Sequence, residues 1–360
     1  MVKIYNSVGT MSGTSFDGID VSLVKTDGKD IFENSLNLYH KFDDKLKINL
    51  IKLKKKINNY QDLIKIKSTK LFLDIENQIT DLHISLIKKI ILQSKDQIDL
   101  IGFHGITLYH DAANKFTFQL GNIEKFSREL KIATVYNFRQ NDLDHGGVGA
   151  PLVPIFHKLI LNILNKNDHD FNGIVNIGGI SNISYLKDNN LFATDIGPGN
   201  CLIDQWCKFF FNVDYDKDGL LTSKEKFDLN IANNFIDRFN FTKNISYDFS
   251  DFSISEFRGM EKHIGLSTLT YITANLILNF LSEKKIEKVL IAGGGRKNKT
   301  IMNFLKNKAS DIDKYNLNGD FIESQAFAYL AVRSMEHMPI TFPETTGVTK
   351  PLSGGIFKKV

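Results

Sequence analysis

Two runs of small and polar residues, far apart in the chain, could do chemistry. Gly9-Thr10-Met11-Ser12-Gly13-Thr14-Ser15-Phe16-Asp17-Gly18 stands near the start, and Asp195-Ile196-Gly197-Pro198-Gly199-Asn200 follows an apolar run. Each sets an aspartate beside a turn. Glycine has no Cβ, so backbone N–H groups there can come close to an anion. The hydroxyls of Thr10, Ser12, Thr14 and Ser15 can donate to phosphate oxygens, and Asp17 can hold a water on Mg²⁺. A solvated hairpin turn is the plainer alternative. Two such turns could grip a polyphosphate from both sides, which suggests phosphoryl transfer in a cleft between two similar domains. Neither a P-loop ending in Gly-Lys-Ser/Thr nor a GxGxxG helix start occurs here.

Asp195 has three open roles: general base, ligand-orienting group for Mg²⁺, or cap of the following helix. Asn200 could supply that cap and free Asp195 for chemistry. Gly293-Gly294-Gly295, with Arg296 and Asn298, follows an apolar run and would let an adenine or ribose lie on bare backbone. His104, at a strand end beside Gly105, can reach a substrate hydroxyl. The planar fork of Arg139 suits a substrate carboxylate, with a surface salt bridge as its alternative. Asp214, Asp216, Asp218, Gly219 and Glu225 match the spacing of a calcium-binding loop, but no second such loop accompanies them. No histidine pair has metal-ligand spacing.

These residues need rigid elements behind them. A strand over 4–8 enters the first loop, 20–26 leaves it, and Asp27-Gly28 marks a hairpin into 31–42. Leu71, Ile75, Ile79, Leu82, Leu86 and Ile90 recur at helical spacing. Strands are expected over 98–103, 116–120 and 133–136. After a change of texture near residue 137, strands over 173–177, 181–185 and 191–194 surround the turn at Gly178-Gly179. Helices are expected over 201–211, 227–239, 266–281 and 322–335, with a strand over 289–291. The strand–glycine-turn–strand start thus occurs twice, at Gly9 and at Gly178, which implies a duplicated fold. The segment 348–360 has strand character and could return to the first domain.

Composition sets outer bounds. The 360 residues are natural for two domains, and 42% hydrophobic with 24% charged is ordinary for a globular protein. A net charge of +4 without a basic, aromatic-interleaved block argues against nucleic acid. Cys201 and Cys207 are six apart on one expected helix, a poor disulfide geometry. Residues 1–6 lack the apolar core of a signal peptide, and no uncharged apolar run approaches the ~18 residues of a membrane span. A cytoplasmic protein with no membrane partner is expected.

The chain resembles the anhydro-N-acetylmuramic acid kinase family of the actin/hexokinase/Hsp70-like ATPases. The resemblance is colinear through residues 9–20, Phe103–Thr107, Asn137–Arg139, 146–156, Asn176–Asn182, Thr194–Asn200, Asp216–Gly219, Gly293–Asn298, Glu323–Ala328 and Thr345–Gly347. It implies an α/β fold of two actin-like (ribonuclease H-like) domains with an interdomain cleft. Residues 1–136 plus about 345–360 would form the N-terminal domain with the ATP phosphate loop. Residues 137–344 would form the C-terminal domain with Asp195 and the adenosine-side glycine turn.

The implied reaction opens the 1,6-anhydro ring of 1,6-anhydro-N-acetylmuramic acid with water and phosphorylates O6. The products are N-acetylmuramic acid 6-phosphate and ADP, in peptidoglycan recycling. Asp195 would be the base; Gly9, Ser12, Gly13, Thr14, Ser15, Phe16, Asp17, Gly18, Ile19 and Asp20 would bind ATP, with Mg²⁺ on its phosphates. Gly178, Gly179, Gly197, Gly199, Gly294, Gly295 and Asn298 would complete the nucleotide site. Glu323 and His104 would contact the sugar, Arg139 its lactyl carboxylate, and the protein would be a homodimer. In that family the Asp-Lys-Asp-Gly run occurs without calcium. Phe103, Ile106, Asn122 and Val148 depart from the family's usual Ser, Gln, Asp and Gln, which bears on substrate affinity. A kinase for another amino sugar and a non-catalytic nucleotide sensor are the rival readings.

Overall fold

A computed structural model describes residues 2–188, 190–222, 226–241 and 246–359. The chain divides into two compact units, Met1–Leu159 with Phe321–Val360, and Ile160–Asp320.

In the first unit, β1 (Tyr5–Ser12), β2 (Gly18–Thr26, with Ile19, Val21 and Leu23 alternating) and β3 (Phe32–Lys41) form an antiparallel meander. β4 (Leu100–Asp111) runs parallel to β1, and β6 (Thr134–Tyr136) parallel to β4, while β5 (Phe116–Leu120) turns back on β4. The chain-end strand Ile356–Lys358 pairs antiparallel with β6 and completes a seven-stranded sheet. The helix Lys70–Gln93 starts at the cap Thr69 and buries Phe72, Ile75, Ile79, Leu86 and Ile90 in this unit's core. Two helices not expected from periodicity, Asp44–Lys54 and Tyr60–Lys67, begin at Asp43 and Asn59, whose side chains accept backbone N–H groups. Asn122 does the same for Ile123–Leu130, accepting from Lys125 N at 2.9 Å, a job Asp and Asn do about equally. Ile106 is fully buried in the core.

The helix Ile322–Met335 packs across β1, β2 and β4. Gly9 and Gly102 make this possible: a Cβ on Gly9 would stand 2.0 Å from the Ser324 carbonyl, and one on Gly102 2.2 Å from that of Phe327. This helix therefore belongs to the first unit. The unit boundaries lie at residues 160 and 320, not at the expected 137 and 345.

The second unit repeats the scheme. β7 (Gly173–Ile177), β8 (Ile180–Lys187) and β9 (Asn190–Pro198) form an antiparallel meander. β10 (Val289–Ala292) runs parallel to β7, and β11 (Ala309–Asp311) parallel to β10. The order β11-β10-β7-β8-β9 matches β6-β4-β1-β2-β3 of the first unit, so the duplication expected from pattern is a repeated ribonuclease H-like topology. The helix Lys262–Lys284 is long and apolar enough to cross a membrane by composition, yet most of it is buried in this unit's core. The expected helix over 201–211 is α-helical only over Cys201–Trp206 and continues in π form over Cys207–Phe211. Cys201 and Cys207 are free, buried thiols.

Candidate active site

The loop between β1 and β2 is closed by Ser12, whose Oγ donates to the Gly18 carbonyl at 2.7 Å. Phe16 takes a left-handed φ of 55° and turns its ring into the core. Ile19 is buried too, and Asp20 is half-buried with a partner inside the protein. Thr14 and Ser15 form the exposed tip of a turn in which Phe16 N donates to Gly13 O at 3.2 Å. The Thr14 and Ser15 hydroxyls have no protein partner among the described residues, and a Cβ on Gly13 would meet only Ser15 Oγ, at 3.6 Å. Thr10 Oγ1 is buried without a partner. Two open hydroxyls beside bare backbone fit a phosphate.

Gly9 and Gly18 do other work. Gly9 admits the 322–335 helix, and a Cβ on Gly18 would stand 2.3 Å from the His40 carbonyl. The Asp17 carboxylate, exposed at the loop, pairs with Lys47 Nζ. Among the described residues no three His, Cys, Asp or Glu side chains converge as a metal site.

His104 stands at the irregularity where β4 shifts register against β1, followed by Gly105 at φ +72°. It is 3% exposed and lies tilted against Phe327, ring centroids 4.5 Å apart. Its Nδ1 bonds the Gly105 carbonyl at 2.9 Å, and its Nε2 meets Arg139 Nη2 at 2.9 Å and Nε at 3.3 Å. Burial and the neighbouring guanidinium hold its pKa well below the usual histidine range. Both ring nitrogens are thus engaged within the protein.

Arg139 follows the buried Phe138 and opens the short helix Gln140–Asp144. Its Nη1 donates to Gly149 O at 2.9 Å. Burial lowers its pKa to about 10, against the pull of Glu323 and Asp142, so it stays charged at neutral pH. No carboxylate lies within ion-pair distance of it among the described residues. The surface salt bridge is therefore not what this arginine makes. Glu323 is solvent-accessible and has no hydrogen-bond partner among the described residues, while surrounding protein raises its pKa and Arg139 opposes the rise.

In the second unit, Asp195 is half-buried on β9 opposite Asn182 of β8. Its Oδ2 accepts the Tyr247 backbone N–H at 2.8 Å. Burial pushes its pKa up to about 6, the Tyr247 bond opposing. No cation pairs with it among the described residues. It does not cap the next helix. Asn200 occupies that position, but its side chain instead donates to Ile177 O at 3.3 Å.

The turn after Asp195 is stitched to the Gly178-Gly179 turn. Gly199 N donates to Gly179 O at 2.9 Å and Asn200 N to Gly178 O at 2.8 Å. A Cβ on Gly199 would stand 2.4 Å from Gly178 O, and Gly197 takes φ +154° against Phe239. Gly199 is demanded by this close approach and its N–H is spent on it, while Gly197 is required by its φ and the Phe239 ring. A Cβ on Gly178 would meet nothing closer than 3.5 Å, and one on Gly179 only the Phe249 ring at 3.4 Å.

Gly294 is exposed, with open space where a Cβ would be, so a flat ring system can lie there. Gly295 packs on Ile177, and the Asn298 carboxamide caps the helix Lys299–Leu305. Arg296 is a structural staple: it pairs with Asp311, Asp313 and Asp320 and donates to Gly293 O at 2.9 Å. In the calcium-like run, Asp216 accepts from Leu221 N at 2.8 Å and from the Thr222 hydroxyl at 2.5 Å. Glu225 lies outside the described residues.

Sequence reasoning missed the Tyr247 N–H, Lys47 and Asp142. Asp142 is 1% exposed, accepts from Gly149 N and Thr346 Oγ1 at 2.7 Å each, and anchors the turn that holds Arg139. Only the nearby Thr345–Gly347 motif hinted at it.

The family model described as anhydro-N-acetylmuramic acid kinase matches residues 5–359. A curated protein of that name from Pelagibacter ubique is 40% identical, with all of both chains covered. Those from Brucella suis and Zymomonas mobilis are 35% and 34% identical, covering 99% and 97% of this chain and 99% and 98% of their own.

Proposed function

The chain belongs to the anhydro-N-acetylmuramic acid kinase family, and from that membership we propose that it converts 1,6-anhydro-N-acetylmuramic acid, water and ATP into N-acetylmuramic acid 6-phosphate and ADP. Asp195 takes a proton from the water that attacks C1. The C1–O6 bond breaks, O6 accepts the γ-phosphoryl group, and one proton is released overall. Relief of ring strain and phosphoryl transfer then drive one another.

The observation that carries this reading is the state of Asp195. A carboxyl held by one backbone N–H, with no paired cation among the described residues and pushed up to about 6, is an effective base near neutral pH. A structural carboxylate paired to a lysine or arginine has its pKa lowered, which removes basicity.

Thr14 and Ser15, with Gly13, would hold phosphate oxygens, and Gly178, Gly179 and Gly294 offer bare backbone to the rest of the nucleotide. Mg²⁺ would come bound to the phosphates rather than to a protein cluster. Arg139 would take the lactyl carboxylate and Glu323 a sugar hydroxyl. We assign the protein to the cytoplasm and to a homodimer on the family resemblance alone. ADP release that depends on the anhydro sugar is the direct test, and sugar-independent release contradicts it.

A further inference from the structure

The geometry points to His104 as a positioning residue for Arg139: its Nε2 lone pair orients the guanidinium without neutralising it, and so sets the preference for a substrate that carries a carboxylate. This rests on the reading of Arg139 as the carboxylate receptor.

Arginine carries five N–H hydrogens and no acceptor. Two are directed at His104 Nε2, at 2.9 and 3.3 Å, and one at Gly149 O, at 2.9 Å. One N–H on each terminal nitrogen is left without a protein acceptor among the described residues, as many as a carboxylate's two oxygens take up. An acceptor beside a guanidinium is most often a carboxylate, which would quench its charge. Here a neutral imidazole does the orienting. The Gly105 carbonyl, 2.9 Å from Nδ1, fixes the proton on that nitrogen and leaves Nε2 free to accept. Phe327 against the ring and Asp142 behind Gly149 hold both sides of the arrangement still. The receptor is therefore aimed yet uncompensated.

The test measures binding, by calorimetry on the full-length protein, of the anhydro sugar with a free lactyl carboxylate and of its lactyl methyl ester. Arg139→Ala should abolish the preference for the acid. His104→Phe keeps the ring's shape but loses the acceptor; it should cut the preference about tenfold and leave ester affinity unchanged, the scale of one hydrogen bond to a charged group. His104→Gln, with an acceptor near the Nε2 position, should restore most of it.

If His104→Phe weakens acid and ester equally, the ring contacts the sugar directly and the proposal falls. If Arg139→Ala loses the preference while His104→Phe keeps it, the proposal falls and the Arg139 reading stands. Should Arg139→Ala keep the preference, the Arg139 reading itself is wrong. Should the phenylalanine variant fail to fold, histidine ¹⁵N spectra of the unaltered protein decide: a protonated Nδ1 with a bare Nε2 is expected, and a protonated Nε2 overturns the assignment.

Discussion

The Asp195 carboxylate accepts the Tyr247 backbone N–H at 2.8 Å, with no cation beside it among the described residues. One neutral donor fixes the direction of the carboxyl but costs little basicity. Burial does the opposite and raises its proton affinity. The contact fixes the carboxyl's direction and leaves it basic.

Asp195→Asn keeps the shape and an acceptor for the Tyr247 N–H, but cannot take a proton. It should lower kcat at least a hundredfold, the usual scale of a lost general base, with ATP affinity unchanged. Steady-state kinetics and nucleotide titration check both halves.

The pH profile follows from the same group. Its basic form is lost as pH falls through about 6, so kcat/KM should drop about tenfold per unit below that point and level off above it. The residual activity of the asparagine variant should lack this limb.

Stability should move the other way. The native state holds the Asp195 proton more tightly than the unfolded chain between the ordinary 3.8 and about 6. The carboxyl therefore costs stability as pH rises through that window, and the cost is full above it. Urea denaturation should show Asp195→Asn more stable by about 1 kcal/mol at pH 8, a figure discounted for its partial exposure, and no gain at pH 4.

Gly9 in β1 and Gly13 in the loop after it should behave differently. Gly9→Ala drives a Cβ to 2.0 Å from Ser324 O and 2.2 Å from Ala328 N, backbone atoms that cannot swing aside. It should cost roughly 2–4 kcal/mol or prevent folding. Gly13→Ala enters open space and should leave the melting temperature within a few degrees.

Legibility in the sequence tracks how local each determinant is. The strands, the 70–93 helix and the repeated glycine-turn start are written in short-range alternation and turn chemistry, and β5, β7 and the 322–335 helix have the expected bounds. The assignment of glycines was not legible. A glycine before a turn reads alike whether it admits a phosphate, as Gly13 can, or a helix from residues 322–335, as Gly9 does. Partners across long sequence separations were equally hidden: Lys47 on Asp17, Arg139 on His104, and Tyr247 on Asp195 are 30, 35 and 52 residues apart. Asn200 stands at the expected cap position but spends its side chain on Ile177 O, a contact that only the folded sheet creates.

The central claim is that ring opening by water and phosphoryl transfer occur together. Mass spectrometry of 1,6-anhydro-N-acetylmuramic acid, incubated with the protein, ATP and Mg²⁺, tests it most directly. The predicted product is heavier by one water and one phosphoryl group. A product that gains the phosphoryl group without water would contradict the account, because Asp195 would then have no water to deprotonate.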